Sequence, residues 1–248
     1  MKQLLMIMWF PTEIEVAMEK FKKFTRRDFM AAAGGTLVSI GLPGVFVKLL
    51  DSENRALATE LRPDGQPRIP PGQHAVKALP NMGGTRGAET VTDWRLEIGG
   101  DVAKPLTLKY ADLMDLGQVD LICDVHCVTG WTLLDSRWRG IQMTTIMDLV
   151  KVKDSARFVI FEAAGDYSSN IPLSEARKDN VILAHGYADG DLPQIHGAPV
   201  RGLVPDRYFY KSVKWLKAIR FEAADEPGYY EESGYSNSAD PWKEERFD

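Results

Sequence analysis

The sequence predicts an α+β fold that is mostly β, with a mixed sheet and short helices. Short segments that alternate apolar and polar residues recur along the chain and are separated by turns rich in Gly and Pro. Segments with helical periodicity are few and short, and they do not alternate with strands in a β-α-β rhythm. The sequence also lacks the glycine-rich strand-to-helix turn that binds dinucleotides. With 248 residues, the chain can form one large domain or two small ones.

The N-terminal residues have the layout of an export signal. The basic segment KFKKFTRRDFM contains the pair Arg26-Arg27 and precedes an uncharged run rich in Ala, Gly and Leu. This layout is typical of a signal peptide, and TRRDFM resembles the twin-arginine type. We predict residues 1–58 to be a twin-arginine export signal cleaved after Ala58, with residues 1–17 as an extra leader. A retained membrane anchor is the alternative, and in both cases the protein is expected to be periplasmic or otherwise exported.

An extended arm and a globular domain are predicted to follow. Residues 59–90 are rich in Pro, Gly and polar residues with little apolar periodicity, which predicts an arm. The domain, residues 91–248, begins with a strand at residues 94–98 that ends at a Gly-Gly pair. A second short strand is predicted at residues 105–108, and it leads into a helical turn at residues 110–116.

The segment VDLICDVHCV, residues 119–128, contains the only two cysteines of the chain, Cys123 and Cys127. It alternates with a period of two, which predicts a strand. One face carries Val119, Leu121, Cys123, Val125 and Cys127, and the other carries Asp120, Asp124 and His126. Residues four apart on a strand are separated by roughly 13 Å, whereas the Cα atoms of a disulfide lie about 5 to 6 Å apart. The two cysteines are therefore not expected to pair with each other.

The remaining elements are also short. The pattern predicts a helix at residues 144–151 with a threonine cap, a buried strand at 157–163, a helix at 173–177, a hairpin at 181–193 that turns at Asp189-Gly190, and strands at 199–205 and 212–221. After Pro227 the chain is aromatic and acidic, and we expect this tail to lie across the body of the domain because isolated tails seldom hold so many aromatic rings.

Four interpretations of Cys127 remain open from the residues alone. It is a buried small hydrophobe, a zinc ligand with Cys123 and two of the histidines His126, His185 and His196, a nucleophile with His185 or His196 as its base, or a thiolate ligand to a soft redox metal. The zinc interpretation is disfavoured because the C-x-x-C and H-x-x-x-H spacings are missing and His126 faces away from Cys127. The net charge of −5 argues against a nucleic-acid partner.

Five sequence blocks resemble the molybdopterin-binding catalytic domain of the sulfite oxidase family. These blocks, in the order of that family, are HCVTGW, DSRWRGI, HGAPVRGLVP, YKSVKWLKAIRF and GYSNSADPWKEERF. The resemblance extends from Pro70 to Phe247. It is strongest to the bacterial sulfite oxidase-like proteins that stand alone, which are related to the methionine-sulfoxide reductase catalytic subunit. It implies the mixed-sheet molybdopterin-binding fold of that family.

The resemblance implies a molybdenum atom held by one molybdopterin dithiolene and one protein thiolate. Cys127 stands at the position of that cysteine. His196 and Arg201 match positions that hold the pterin and its phosphate, and arginine suits this role because its planar fork donates paired hydrogen bonds. In KSVKW, the match falls on residues that grip the cofactor through backbone amides and a lysine: Ser212, Val213 and Lys214, with Lys211 as a weaker candidate.

Other positions match the family less closely. In the arm, Asn81 and Arg86 are only candidate contacts, since LPNMGGTRG matches poorly. Ala163 replaces a threonine contact of relatives, whereas Tyr167 in DYSSNIPL is expected to line the substrate pocket and to serve as a catalytic residue. We predict Cys123 to be a buried structural residue.

The function that the resemblance implies is oxygen-atom transfer on a small substrate, either sulfite-type oxidation or reduction of an S-oxide or N-oxide. Arg137 and Arg139 either attract an anionic substrate or face solvent. No C-x-x-C-H haem attachment and no iron–sulfur cysteine set occur in the sequence, so a separate electron-transfer partner is expected, a cytochrome or a membrane haem subunit. The export machinery of the twin-arginine route is a further partner. The alternatives are a zinc- or thiol-dependent hydrolase and a non-catalytic binding module.

Overall fold

The computed structural model describes residues 60–83 and 90–248, which lie within one compact unit, Ser52–Asp248. The predicted export signal at residues 1–58 and the candidate contact Arg86 lie outside the described residues. Within the described part of the chain, no helix is long and apolar enough to cross a membrane.

The described residues form eleven strands and three short α-helices. The strands in chain order are β1 (His74–Val76), β2 (Arg95–Gly100), β3 (Leu106–Lys109), β4 (Val119–His126), β5 (Trp131–Gln142), β6 (Phe158–Ala163), β7 (Ser168–Pro172), β8 (Ile182–Tyr187), β9 (Gly190–Asp191), β10 (Arg201–Leu203) and β11 (Leu216–Glu222). The helices are α1 (Tyr110–Met114), α2 (Met143–Val150) and α3 (Leu173–Ala176). The predicted α+β fold that is mostly β is confirmed.

The strands form two sheets, of six and five strands. In the six-stranded sheet, the long β5 pairs antiparallel with β4 along one edge. The other edge of β5 pairs in parallel with β1 and antiparallel with β8, and β8 also pairs with β9 and β10. The five-stranded sheet has the order β3-β2-β11-β6-β7, in which β2 and β11 are parallel. Each sheet mixes parallel and antiparallel pairs, as predicted.

Two clusters of buried apolar side chains stabilise the sheets. The larger cluster includes Leu96, Phe161 and Ile219 of the five-stranded sheet and residues of α1 and α2. The smaller cluster belongs to the six-stranded sheet and contains Cys127 and Trp138. Burial of one large apolar side chain contributes about 1.5 to 3 kcal/mol. Cys127 is therefore held at a well-packed part of the domain.

Two local predictions need correction in the helices and turns. The helix α2 begins one residue before Thr144, with Gln142 as its N-cap, and no side chain caps it. The hairpin between β8 and β9 was predicted to turn at Asp189-Gly190, but it turns at Ala188-Asp189. Ala188 and Asp189 have positive φ angles of 51° and 66°. Two successive positive φ angles are what a tight two-residue hairpin turn requires.

Two strands also differ from the prediction. The strand predicted at residues 212–221 begins only at Leu216, because Trp215 has a φ of 53° and breaks the extended backbone. In β4, the pairing register shifts between Cys123 and Val125, so the strict alternation ends there. As a result His126, predicted on the polar face, is fully buried.

The C-terminal tail packs on the body of the domain, as predicted, and contacts both β7 and the arm. The Trp242 Nε1 atom donates a hydrogen bond to the Pro67 carbonyl at 2.7 Å. The Arg62 guanidinium lies 4.1 Å from the centre of the Trp242 ring, and the His126 ring packs edge-on against Trp242 at 5.0 Å. Arm and tail together enclose the end of β4.

Candidate active site

A tight turn directly after β4 presents Cys127. The Cys127 amide donates to the Trp131 carbonyl at 2.8 Å, and the Cys127 carbonyl accepts from the Gly130 amide at 2.9 Å. Gly130 has a φ of 98°, a conformation that glycine adopts at no steric cost. From the arm, Gln73 Nε2 donates to the same Cys127 carbonyl at 3.0 Å. The backbone of Cys127 is therefore fixed from both sides.

The Cys127 side chain is buried, and Sγ accepts a hydrogen bond from the Thr129 hydroxyl at 3.1 Å. Burial raises the pKa of the Cys127 thiol, whereas Thr129 and the guanidinium of Arg246 lower that pKa. Arg246 belongs to the C-terminal tail and is held nearby by a hydrogen bond to the Val128 carbonyl. Since burial is the largest effect, the thiol needs a facing positive group, such as a metal ion, to ionise fully.

Cys127 lines a cavity of about 530 Å³. The lining comes from the arm, the turn after β4, the β6–β7 hairpin, the loops that flank β10, and the C-terminal tail. A cavity of this size lies in the usual range for small-molecule and cofactor sites. The structure brings together these residues that the sequence singled out: Cys127, Tyr167, His196, Arg201, Ser212 and Lys214.

Arg201 forms a buried cationic part of the cavity wall, with 1% of the residue exposed. Its guanidinium donates to the carbonyls of His196 at 2.9 Å and Ser212 at 2.6 Å, and it lies 4.3 Å from the centre of the Phe209 ring. No carboxylate in the described part of the chain forms an ion pair with Arg201. Burial lowers the pKa of Arg201 to about 9. A buried, unpaired guanidinium is costly until an anion compensates it.

Two further basic groups lie close to Arg201. Burial and the positive charges of Arg201 and Lys214 lower the pKa of His196. Burial and Arg201 lower the pKa of Lys214 to about 8. Gly197 allows the close approach, because a Cβ atom at this position would lie 2.9 Å from the Lys214 Cα. The three groups form one basic cluster, and together they suit an anionic ligand.

Five tyrosines, here called the tyrosine wall, line another part of the cavity: Tyr167, Tyr210, Tyr229, Tyr230 and Tyr235. The Tyr230 ring is central, since its centre lies 5.1 to 5.8 Å from the ring centres of Tyr167, Tyr210, Tyr229 and Tyr235. The Tyr167 hydroxyl donates to the Tyr210 carbonyl at 2.5 Å, so the hydroxyl of this predicted catalytic residue is engaged by the backbone. Burial raises the pKa of Tyr167 well above its ordinary value.

The ammonium of Lys211 binds the C-terminal tail. Its Nζ atom lies 2.5 Å from Glu231 Oε1 and donates to Asn170 Oδ1 at 2.7 Å. Both members of the ion pair are only 1% exposed, and Ser169 donates to the same Glu231 oxygen. Lys211 is not among the residues that line the cavity. The predicted cofactor contact is therefore corrected, because the ammonium anchors the tail to β7.

We predict that Lys211→Met destabilises the protein by about 3 to 5 kcal/mol, because it leaves the Glu231 carboxylate buried without its partner. Urea denaturation followed by circular dichroism measures this change. The double variant Lys211→Met/Glu231→Leu should recover most of the loss, since it removes both charges. The control is Arg137→Ala, which breaks an exposed pair with Asp189 and should cost at most about 1 kcal/mol. An equally small cost for Lys211→Met would contradict the anchoring role.

Other predicted site residues lie off the cavity lining. Val213 is fully buried in the larger apolar cluster, so the contact predicted for it involves its backbone alone. Asn81 is exposed and lies between Pro80 and Met82, which both line the cavity. Cys123 is a free thiol, and burial raises its pKa to about 12, as expected of an inert structural cysteine.

The two arginines considered as attractors of an anionic substrate face solvent. Arg137 pairs with Asp189 at 2.9 Å, and Arg139 pairs with Asp120 at 2.8 Å. All four side chains are more than half exposed. Neither arginine lines the cavity that contains Cys127.

The described side chains do not form a metal site without outside ligands. Within residues 60–83 and 90–248, no group of three or more His, Cys, Asp or Glu side chains could hold a metal ion. His185 hydrogen-bonds Gln118 at 2.7 Å and does not line the cavity, and His126 hydrogen-bonds Thr132 at 2.9 Å. These contacts disfavour both the zinc site and a His185 base. One thiol together with a basic cluster fits a metal whose remaining ligands belong to an anionic organic cofactor.

Sequence reasoning missed two parts of the site. Thr129, which donates to the Cys127 sulfur, lies in the block HCVTGW but was not identified as a site residue. Four members of the tyrosine wall were not identified as site residues, although Tyr229, Tyr230 and Tyr235 belong to the aromatic tail that was expected to pack on the body. That aromatic content was the available signal. Only the structure shows that the tail reaches the cavity.

Comparisons with known proteins agree with this geometry. Residues 83–230 match the family model described as the oxidoreductase molybdopterin binding domain. The chain is 35% identical over 186 residues to the uncharacterised oxidoreductase YuiH of Bacillus subtilis, which covers 74% of this chain and 94% of that protein. It is 27% identical to the protein-methionine-sulfoxide reductase catalytic subunit MsrP of Campylobacter jejuni, over 52% of this chain and 49% of that subunit.

A solved structure has a similar fold. The sulfane dehydrogenase SoxCD from Paracoccus pantotrophus aligns with a TM-score of 0.53 at 17% identity, over 87% of this chain and 60% of that chain. At this identity the similarity concerns the fold. It confirms the fold class predicted from the sequence. The chain thus spans nearly all of the Bacillus relative, but only about half to three fifths of the Campylobacter subunit and of SoxCD.

Proposed function

Because the chain belongs to the oxidoreductase molybdopterin binding domain family and is a molybdopterin-dependent oxidoreductase, we propose that it transfers an oxygen atom between water and a small substrate. The observation that supports this proposal is one buried thiol, Cys127, on the same cavity as a basic cluster that contains an unpaired buried guanidinium, Arg201. A thiolate ligand and an anion-binding site are what a molybdenum–molybdopterin cofactor requires of its protein.

Each residue of the site then has a role. Cys127 supplies the protein thiolate to molybdenum, and Thr129 orients that sulfur through its hydroxyl. The basic cluster of His196, Arg201 and Lys214 holds the anionic end of the cofactor. When bound, the cofactor supplies a metal that stores two electrons and accepts or gives up an oxygen atom.

Ser212 organises the loop beside the basic cluster. Its carbonyl accepts from Arg201, its hydroxyl accepts from the Val204 amide at 2.9 Å, and its own amide donates to the Phe209 carbonyl at 3.1 Å. Because all three of its polar groups are used within the protein, Ser212 fixes the loop that presents Arg201 and Lys214. This role differs from the one that the resemblance implies, in which the backbone amide of Ser212 binds the cofactor directly.

The finer parts of the function follow by analogy with the family. We propose either sulfite-type oxidation or reduction of an S-oxide or N-oxide, with two electrons and two protons balancing the transfer of each oxygen atom to or from water. A separate haem protein, a cytochrome or a membrane haem subunit, would take up or supply the electrons. We also propose export by the twin-arginine route, since the N-terminal residues have that layout.

Elemental analysis tests this proposal most directly. Native purified protein should contain molybdenum and pterin in a ratio close to one each per chain, measured by mass spectrometry of the metal and by fluorescence of the oxidised pterin. Zinc without molybdenum would contradict the proposal and would indicate a zinc-dependent hydrolase. A protein without metal and without pterin would indicate a binding module.

A further inference from the structure

We infer that Tyr230 selects the substrate, admitting a neutral molecule whose reacting sulfur or nitrogen atom carries apolar groups and disfavouring a small oxyanion. This inference rests on the proposed function, because it concerns the substrate side of the same cavity. It is carried by the packing of the tyrosine wall, by the charges that line the cavity near it, and by the composition of the cavity mouth.

The first observation is the position of Tyr230. Its ring contacts the rings of all four other tyrosines of the wall, so it is the centre of this surface. Burial raises the pKa of the Tyr230 hydroxyl, and the neighbouring Tyr235, Tyr229 and Cys127 groups raise it further. Tyr230 lines the same cavity as Cys127. A substrate in this cavity therefore meets the wall of which Tyr230 is the centre.

The second observation is the charge near the wall. The four rings that pack against Tyr230 belong to tyrosines, whose hydroxyls are neutral near neutral pH. Asp166 places a carboxylate on the cavity lining next to Tyr167. Among the described lining residues, the cations are Arg201 and Lys214 of the basic cluster, which the proposed function assigns to the cofactor. The Arg246 guanidinium, which acts on Cys127, is bound by the Val128 carbonyl and is not among the lining residues. A small oxyanion at the wall would therefore lose hydration without gaining a cationic partner from the described lining residues.

The third observation is the cavity mouth. Three large apolar or aromatic residues of the lining are markedly exposed: Met82 at 37%, Ile195 at 39% and Tyr229 at 56%. Apolar groups that stay exposed around a cavity mark a surface that binds something apolar. The tyrosine wall and these exposed apolar groups fit a substrate with an apolar body, since thioether-type sulfur also packs favourably against aromatic rings.

Two inert tetrahedral sulfur compounds provide the test, methyl phenyl sulfone as the neutral probe and sulfate as the anionic probe. Isothermal titration calorimetry with the molybdenum-loaded protein should show sulfone binding at least about tenfold tighter than sulfate binding. In Tyr230→Arg the preference should reverse, because a charge-assisted hydrogen bond changes affinity by about 10- to 100-fold. Tyr230→Phe, which keeps the ring, should keep the preference of the native protein.

The matched control is Phe247→Arg, which adds the same charge to the same tail. Phe247 is 65% exposed and contacts Tyr235 but does not line the cavity, so its replacement should leave both affinities unchanged. If Tyr230→Arg fails to fold, Tyr230→Leu replaces it and should weaken sulfone binding about tenfold without affecting sulfate.

The kinetic counterpart is the reduction of methyl phenyl sulfoxide by reduced benzyl viologen, in which the S–O bond breaks and two electrons and two protons yield the sulfide and water. Tyr230→Leu should raise KM more than it lowers kcat. Molybdenum is measured in every sample: its absence would overturn the proposed function. A molybdenum-loaded native protein that prefers sulfate, or an unchanged preference in the folded Tyr230 variants, would overturn this inference alone.

Discussion

Cys127→Ser should abolish turnover while leaving the protein folded. The serine hydroxyl remains protonated near neutral pH and is a poor ligand for a soft metal, so the protein loses its bond to molybdenum. We expect a loss of activity that exceeds the roughly 10- to 100-fold typical of removing an outer-shell partner of a metal. Turnover of methyl phenyl sulfoxide with an artificial electron donor measures the loss. X-ray absorption at the molybdenum edge should count one sulfur ligand fewer.

Cys123→Ser is the matched control for this experiment. Cys123 lies four residues earlier on β4, is half-buried, and its sulfur is 3.9 Å from the Ser136 hydroxyl. Serine should take over this contact, so activity and the sulfur count should stay at the native level, with at most about 1 kcal/mol lost in stability. Full activity of Cys127→Ser, or an equal loss in both variants, would contradict the role assigned to Cys127.

Arg201→Met should lower cofactor retention by about 10- to 100-fold. This is the change in affinity expected from the loss of one or two charge-assisted hydrogen bonds. The reason is that Arg201 is the fully buried member of the basic cluster and pairs with no carboxylate within residues 60–83 and 90–248. Two effects on the cofactor-free protein oppose each other. Removing an uncompensated buried cation is favourable, whereas the carbonyls of His196 and Ser212 lose their donor. Dialysis followed by molybdenum and pterin determination measures the retention.

Two further variants make the Arg201 result specific. Arg201→Lys keeps the charge but loses the planar fork, and retention should fall to an intermediate value. Arg137→Met removes an exposed arginine and should leave retention unchanged. Circular dichroism and thermal unfolding of each variant separate cofactor loss from misfolding. Native retention in a folded Arg201→Met protein would show that the anionic end of the cofactor binds elsewhere.

Elements whose periodicity is local were predictable from the sequence. β2, β4 and β6 were recognised because alternation or an apolar run is visible in adjacent residues. The long β5 was not assigned, although it organises the six-stranded sheet. Its start, Trp-Thr-Leu-Leu at residues 131–134, is nearly continuous in apolar character, since residues 131–133 are all buried and both faces of this part of β5 are covered. The start of β11 was predicted too early, because Trp215 has a positive φ of 53° and no pattern in the adjacent residues indicates it. Trp215 lines the cavity.

The candidate site was predictable where a short motif holds the chemistry. Cys127, His196, Arg201 and Lys214 lie in compact blocks, and all four line one cavity. Lys211 lies in such a block as well, but its ammonium is bound by Glu231, twenty residues further along the chain. Such a pairing leaves no local pattern. The tyrosine wall was missed for the same reason, since its members come from three separate segments that only the folded chain brings together.

The position of Tyr229, Tyr230 and Tyr235 after β11 has a consequence for biogenesis. No strand of either sheet follows Glu222 in the described chain, so the two sheets can form without the tail while one side of the cavity still stands open. Docking of the tail through Glu231 then closes that side. The topology thus permits an order of assembly in which the cofactor enters before the tail covers the last side of the cavity.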